Sequence, residues 1–132
     1  MDDSARYGYY DSFITMKRWM ENRNAGKMLD AYFREHGYET IAIYGAGDLG
    51  KLLYEELKHT DIKILYFVDR NAEGLHQIEG IPVIDLDAVA ENKSIDVLVV
   101  TPLGDYNVIC SELIGIAPEV PIISLKDAVY EL

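Results

Sequence analysis

Sulfur chemistry has little to work with in this sequence. Its single cysteine, Cys110, can form no internal disulfide and supply no cysteine-rich zinc site. No apolar run approaches the roughly 20 residues that a membrane-spanning helix needs, because Asp or Lys interrupts every hydrophobic stretch. Basic side chains are also scarce: 12 Lys and Arg stand against 23 Asp and Glu, a formal net charge of -11. That sign opposes the electrostatic attraction on which nucleic-acid and anionic-membrane binding rest, so neither is expected as a partner. The N-terminus lacks a basic-then-apolar pattern, which argues against secretion and makes the cytoplasm the expected compartment. Repeats and low-complexity stretches are absent too. What remains is 132 residues, 49% hydrophobic and 27% charged, the size and balance of one soluble domain rather than a multidomain enzyme.

The charge divides unevenly. Residues 1–40 hold six basic and seven acidic side chains, whereas residues 41–132 hold six and sixteen, which suggests a boundary near residue 40. Residues 1–10 show no periodicity and are expected as a mobile tail. From 11 to 36 the spacing is helical, with Phe13, Met16, Trp19 and Met20 on one stripe and Met28, Leu29, Tyr32 and Phe33 on another. The run Asn22 to Gly26 reads as a turn or a weak spot, and Gly37 as the stop. These stripes need a surface to cover, either the sheet or another subunit, so residues 11–36 are a candidate self-association or partner element.

Beyond residue 40, short apolar runs alternate with helical patterns. Strands are expected at 40–44, 62–68, 82–84, 95–101 and 120–124, and helices at 48–59, 85–91, 105–117 and 126–132. Nearly continuous apolar strands joined by helices imply a parallel sheet buried on both faces. The expected fold is therefore α/β: a doubly wound, mainly parallel five-stranded sheet in the order 3-2-1-4-5 over residues 40–132, preceded by a helical extension over 11–39.

The sharpest feature is Gly45-Ala-Gly47-Asp48-Leu49-Gly50, a G-x-G-x-x-G run between a strand and a helix. Gly45 permits the tight turn, Gly47 the approach of a pyrophosphate, and Gly50 close contact between helix and strand; Asp48 and Leu49 open a helix whose free N–H groups attract phosphate. Asp69 ends the second strand 19 positions after Gly50, where an acid accepts ribose hydroxyls and repels a 2′-phosphate. The neighbouring Arg70 blurs that preference by offering a partner to such a phosphate or a plane to a base. Thr101 and Pro102, at the end of the fourth strand, fall beside the same crevice. The plainer alternative is that the glycines and Asp69 serve a turn alone, in a fold without a ligand. Asp105 reads as a helix cap, Cys110 as a small core residue, and His36 and His59 as charges at helix ends. Tyr54 and Lys58 have a dehydrogenase-like spacing but lie on a helix that points them away from the crevice. No catalytic residue and no metal ligand is expected.

The stretch Ile41 to Gly50, the strand end Tyr66-Phe-Val-Asp69, the passage Glu79-Gly-Ile-Pro-Val83 and the strand Asp96 to Thr101 together resemble a Rossmann-like domain of bacterial surface-polysaccharide biosynthesis. The likeness is to the N-terminal domain of nucleotide-sugar dehydratases and of sugar acetyltransferases. The resemblance implies that Gly45, Gly47 and Gly50 take phosphates, Asp69 the ribose, and Thr101 with Pro102 the crevice wall. The ligand implied is a small-molecule nucleotide: NAD, NADP or a UDP-type nucleotide sugar. Two alternatives stay open, an NAD-dependent oxidoreductase subunit completed by another chain, and a ligand-free structural or regulatory protein.

Overall fold

Two helices lead into the sheet: α1 (Asp3–Asn24) and α2 (Leu29–Glu35) precede β1 (Thr40–Tyr44), α3 (Asp48–Leu57) and β2 (Lys63–Val68). A short α4 (Ala72–Leu75), β3 (Gln77–Ile78) and β4 (Ile81–Ile84) follow. A 3-10 turn (Asp87–Glu91), β5 (Val97–Val100), α5 (Tyr106–Ile116), β6 (Ile122–Ser124) and α6 (Leu125–Glu131) complete the chain. The structure is a computed structural model that describes the backbone of residues 3–132 and the side chains of residues 9–132.

The sheet is mixed and has six strands, not five, in the order β3-β4-β2-β1-β5-β6. All neighbours run parallel except β3 and β4, which are antiparallel. The additional strand comes from the segment read as a polar loop. Glu79 (φ 49°) and Gly80 (φ 87°) form a two-residue turn with positive φ at both positions, as the type I′ hairpin turn requires. Gln77 then pairs with Pro82 and Ile78 with Ile81. The Gly-Ile-Pro-Val passage is thus the return arm of a hairpin.

Alternation along the strands divides the core between two faces. Ile41, Ile43, Val97 and Val99 join Leu29, Phe33, Leu53, Leu57 and Leu125 on the side of α2, α3 and α6. Ala42, Tyr44, Leu98 and Val100 join Val89, Ile109 and Leu113 on the side of α5 and the 3-10 turn. Burial on both faces explains why these strands lack polar alternation. One irregularity interrupts β2: Ile41 pairs with Ile64 but Ala42 with Tyr66, so Leu65 bulges out and stays exposed. The bulge lets Ile64 and Phe67 face one core and Tyr66 and Val68 the other.

The N-terminal segment departs from expectation in two ways. From Asp3 onward, the residues expected as a tail are the first turns of α1, continuous with the helical pattern that follows; residues 1 and 2 lie outside the described residues. Of the first stripe, only Trp19 points inward. Trp19 sits about 100° around the helix from Met20, and it buries together with Thr15 and Asn22 while Phe13, Met16 and Met20 face outward. Leu29, Tyr32 and Phe33 of the second stripe enter the same core as the sheet.

A buried carboxylate joins these helices. Glu56 of α3 accepts the Trp19 indole N–H through Oε1 and the Leu29 backbone N–H through Oε2, both at 2.8 Å, with the Arg23 guanidinium 3.6 Å away. Asn22 adds a bond from its amide to the Val129 carbonyl (2.9 Å), and Lys126 pairs with Asp11 (3.1 Å). No helix among the described residues is long and apolar enough to cross a membrane.

Candidate functional site

The glycine turn connects β1 to α3 with each glycine in a different situation. Gly45 sits at φ 102°, its N–H donating to the Val68 carbonyl (2.8 Å), and a Cβ there would run into the Thr101 hydroxyl and Pro102. At Gly50 a Cβ would overlap the Gly45 carbonyl oxygen, so α3 starts as close to β1 as backbone can lie. Gly47 differs from both, because a Cβ there would meet nothing within 4 Å. It is also the N-cap of α3, and it provides no side-chain cap. The first N–H groups of an α-helix have no partner within the helix. Here they lie beside open space, with the positive end of the helix dipole behind them.

Next to this turn lies a cleft of about 350 Å³. It opens at the carboxyl ends of β1, β2 and β5, where the chain order reverses on either side of β1. Ligands of open α/β sheets settle at such a reversal. Tyr44, Pro102, Val108 and Ile109 give it apolar walls, and Asp69, Arg70 and Asp105 supply its charges. Arg70 reaches from the end of β2 to Glu112 on α5 (3.1 Å). The nearby Tyr44 hydroxyl, and then the Glu112 charge, hold the guanidinium pKa still higher than usual.

Asp69 has a structural task as well. Its Oδ2 accepts the Ala46 N–H inside the glycine turn (2.8 Å) and its Oδ1 accepts the Asn71 N–H (2.9 Å), so one carboxylate ties the end of β2 to the turn after β1. Four of the expected site residues therefore line the cleft: Gly45, Asp69, Arg70 and Pro102. Gly47, Asp48, Leu49 and Gly50 form the adjacent helix start. Thr101 is not among the residues that line the cleft. At 3% exposure it lies beneath the cleft, and its hydroxyl donates to the Tyr44 carbonyl (2.8 Å), which fastens β5 to β1 instead of facing a ligand.

The sequence model of a family described as C2185-like, N-terminal, matches residues 37–123, well over half of the chain. The chain belongs to that family. Among curated proteins, none matches it. The C2185-like region runs from the residue before Tyr38 into β6, so it contains the glycine turn and every residue lining the cleft. Both α1 and α2 lie outside it.

Within the C2185-like region the sequence reading missed Tyr44, Val108 and Ile109 as cleft residues. Tyr44 was legible only as the last residue of an apolar strand, and Val108 only as a helix residue. Asp105 occupies the N-cap position of α5 but makes no side-chain cap bond; its side chain lines the cleft instead. Cys110 is only half-buried and lies against Tyr106, whose phenol is pushed up to about 12 by burial first and then by this thiol. Tyr54 and Lys58 are remote from the cleft: the Tyr54 ring lies against Phe67, and Lys58 pairs with Glu55 (2.9 Å).

Proposed function

We propose that this chain is a Rossmann-like nucleotide-binding module that takes NAD or a UDP-type nucleotide sugar and serves bacterial nucleotide-sugar or polysaccharide metabolism. The observation that carries the proposal is the uncapped, open start of α3 at Gly47 beside a cleft lined by Asp69 and Arg70. The finer fold reading draws support from the five parallel strands, which follow one another as β4-β2-β1-β5-β6, the 3-2-1-4-5 order.

In this reading the diphosphate sits on the N–H groups of the first turn of α3, attracted by the helix dipole without any basic side chain. The ribose lies at Asp69, whose oxygens have lone pairs left after the two backbone bonds. The base enters the cleft between Pro102, Val108 and the plane of Arg70. The engagement of Arg70 with Glu112 and Tyr44 draws its charge toward α5. A 2′-phosphate therefore meets the Asp69 carboxylate without a free cation, which favours NAD over NADP.

Thermal unfolding with NAD, NADP and UDP-N-acetylglucosamine tests the assignment. A ligand at about 100 times its dissociation constant stabilises the fold by about 3 kcal/mol, a rise of roughly 10 °C for a domain of this size. The Gly47→Val variant still folds, because the new side chain fills open space at an ordinary φ of -89°; it melts a few degrees lower for the poorer N-cap and loses the ligand-induced rise. No rise with any of the three, or an equal rise in the variant, overturns the proposal. One observation favours a ligand-free reading instead: both Asp69 oxygens already serve the two turns they join.

A further inference from the structure

Helix α1 lies on the body with its polar side inward. Thr15 and Asn22 are buried beside Trp19, while Tyr9 (79% exposed), Phe13 (66%), Met16 (45%) and Met20 (59%) face outward. On a helix of 3.6 residues per turn these four fall within about 60° of arc. Their spacing of four, three and four is the a/d seam of paired helices. Burying Thr15 leaves its hydroxyl without a partner. The body therefore holds α1 by Trp19 and two polar side chains, and among the described residues nothing lies over the face rich in apolar groups.

We propose that this seam joins two copies of the chain, with α1 running antiparallel to α1 of the partner across a two-fold axis. Three observations select a second copy as the occupant. The seam is palindromic: turned end for end about its midpoint, Tyr9 falls opposite Met20 and Phe13 opposite Met16, so within these four positions each large apolar side chain meets another and no charge enters; the next positions at that spacing are Arg6 and Arg23, which bound the seam. A two-fold interface demands this kind of self-complementarity.

The second observation is charge. The α1 sequence holds four basic and three acidic residues, whereas residues 41–132 hold ten more acidic than basic. Joining copies through α1 therefore places the least repulsive part of each together. The third is area. At about 200 Å² per large side chain, the exposures of Tyr9, Phe13, Met16 and Met20 amount to roughly 500 Å² per copy. Two copies then bury about 1,000 Å², the threshold of a biological interface and the size of a weak one. The inference rests on α1 alone and is independent of nucleotide binding.

Sedimentation equilibrium of the full chain at about 100 µM, ten times the dissociation constant of a weak dimer near 10 µM, is expected to give a weight-average mass about 1.8 times that of the monomer. Phe13→Lys and Met16→Glu are each expected to give a monomer with unchanged far-UV circular dichroism. In the antiparallel register the lysine of one variant faces the glutamate of the other, and the second Phe13 to Met16 contact stays apolar. An equimolar mixture of F13K and M16E is therefore expected to recover the dimer. Met20→Glu, at the rim of the seam, weakens the dimer and serves where either central variant folds poorly. A monomeric wild type overturns the proposal, as does a dimer that F13K and M16E leave intact. A mixture that stays monomeric overturns the antiparallel register. Flotation of a monomeric wild type with anionic vesicles reassigns the face to a lipid surface.

Discussion

Helices α1 and α3 rest on the same body and meet at one carboxylate, yet they are oriented by opposite rules. Helix α3 turns Leu53 and Leu57 into the core and starts with Gly50 against the backbone of Gly45. Helix α1 turns Thr15, Trp19 and Asn22 inward and exposes its aromatic and methionine side. Proximity of backbone and apolar burial hold α3. What holds α1 is a set of polar attachments: Trp19 to Glu56, Asn22 to Val129 and Asp11 to Lys126. A stripe of large apolar residues thus identifies a helix without saying which surface it covers.

The largest effect is expected where α3 depends on backbone contact. Gly50→Ala drives a methyl group into the Gly45 carbonyl, and neither backbone can yield without moving β1 or α3. Unfolding in urea should show a loss of about 4 kcal/mol, the upper range for a single substitution. If the loss is small, α3 is not held as described and the contrast with α1 collapses.

A smaller effect sharpens the comparison from the side of α1. Glu56→Leu removes the acceptor from the Trp19 indole and the Leu29 N–H. Leaving buried donors unpaired costs about 2 to 3 kcal/mol. Because these bonds attach α1 and α2, hydrogen exchange in residues 9–35 is expected to rise more than in the strands.

The least effect near neutrality, and a control for both helices, belongs to Tyr66. It faces the other side of the sheet, where its hydroxyl donates to the Asn92 carbonyl (2.7 Å) and burial pushes its pKa up to about 12. The neutral phenol is the form that the fold favours. Its contribution is complete below the ordinary pKa near 10 and is lost as pH rises from about 10 through 12. Replacing Tyr66 by Phe should flatten that alkaline limb in urea midpoints measured against pH.

The α/β alternation, the two-sided burial of the strands and the glycine turn were legible because each rests on a local pattern: continuous apolar runs, a helical period, a fixed spacing of glycines. Features that depend on single residues in context were not. Strand β3 is two residues long and rests on the conformation of Glu79 and Gly80, which resembles any polar loop in sequence. Leu65 could not be recognised as a bulge, since an apolar residue inside an apolar run has no mark of which face it takes. Thr101 and Asp69 were placed at the correct strand ends, but nothing in their types distinguishes a ligand contact from a bond to a neighbouring backbone. The outward turn of Phe13 and Met16 depends on where Trp19 and Asn22 find partners, at Glu56 and at Val129, far along the chain.

The two margins of the sheet have a consequence for how such a chain behaves when crowded. On one side β3 offers only Gln77 and Ile78 before the positive-φ residues His76 and Glu79 bend the chain away. On the other, β6 is three residues long and directly follows Pro121, which has no N–H to donate. Neither margin presents a long, straight row of free amides for an incoming strand, which is how natural sheets resist edge-to-edge aggregation. Growth by strand addition, open-ended by nature, is blocked at both rims. Contact through a helix face related to itself by a two-fold axis closes on itself at two copies and goes no further.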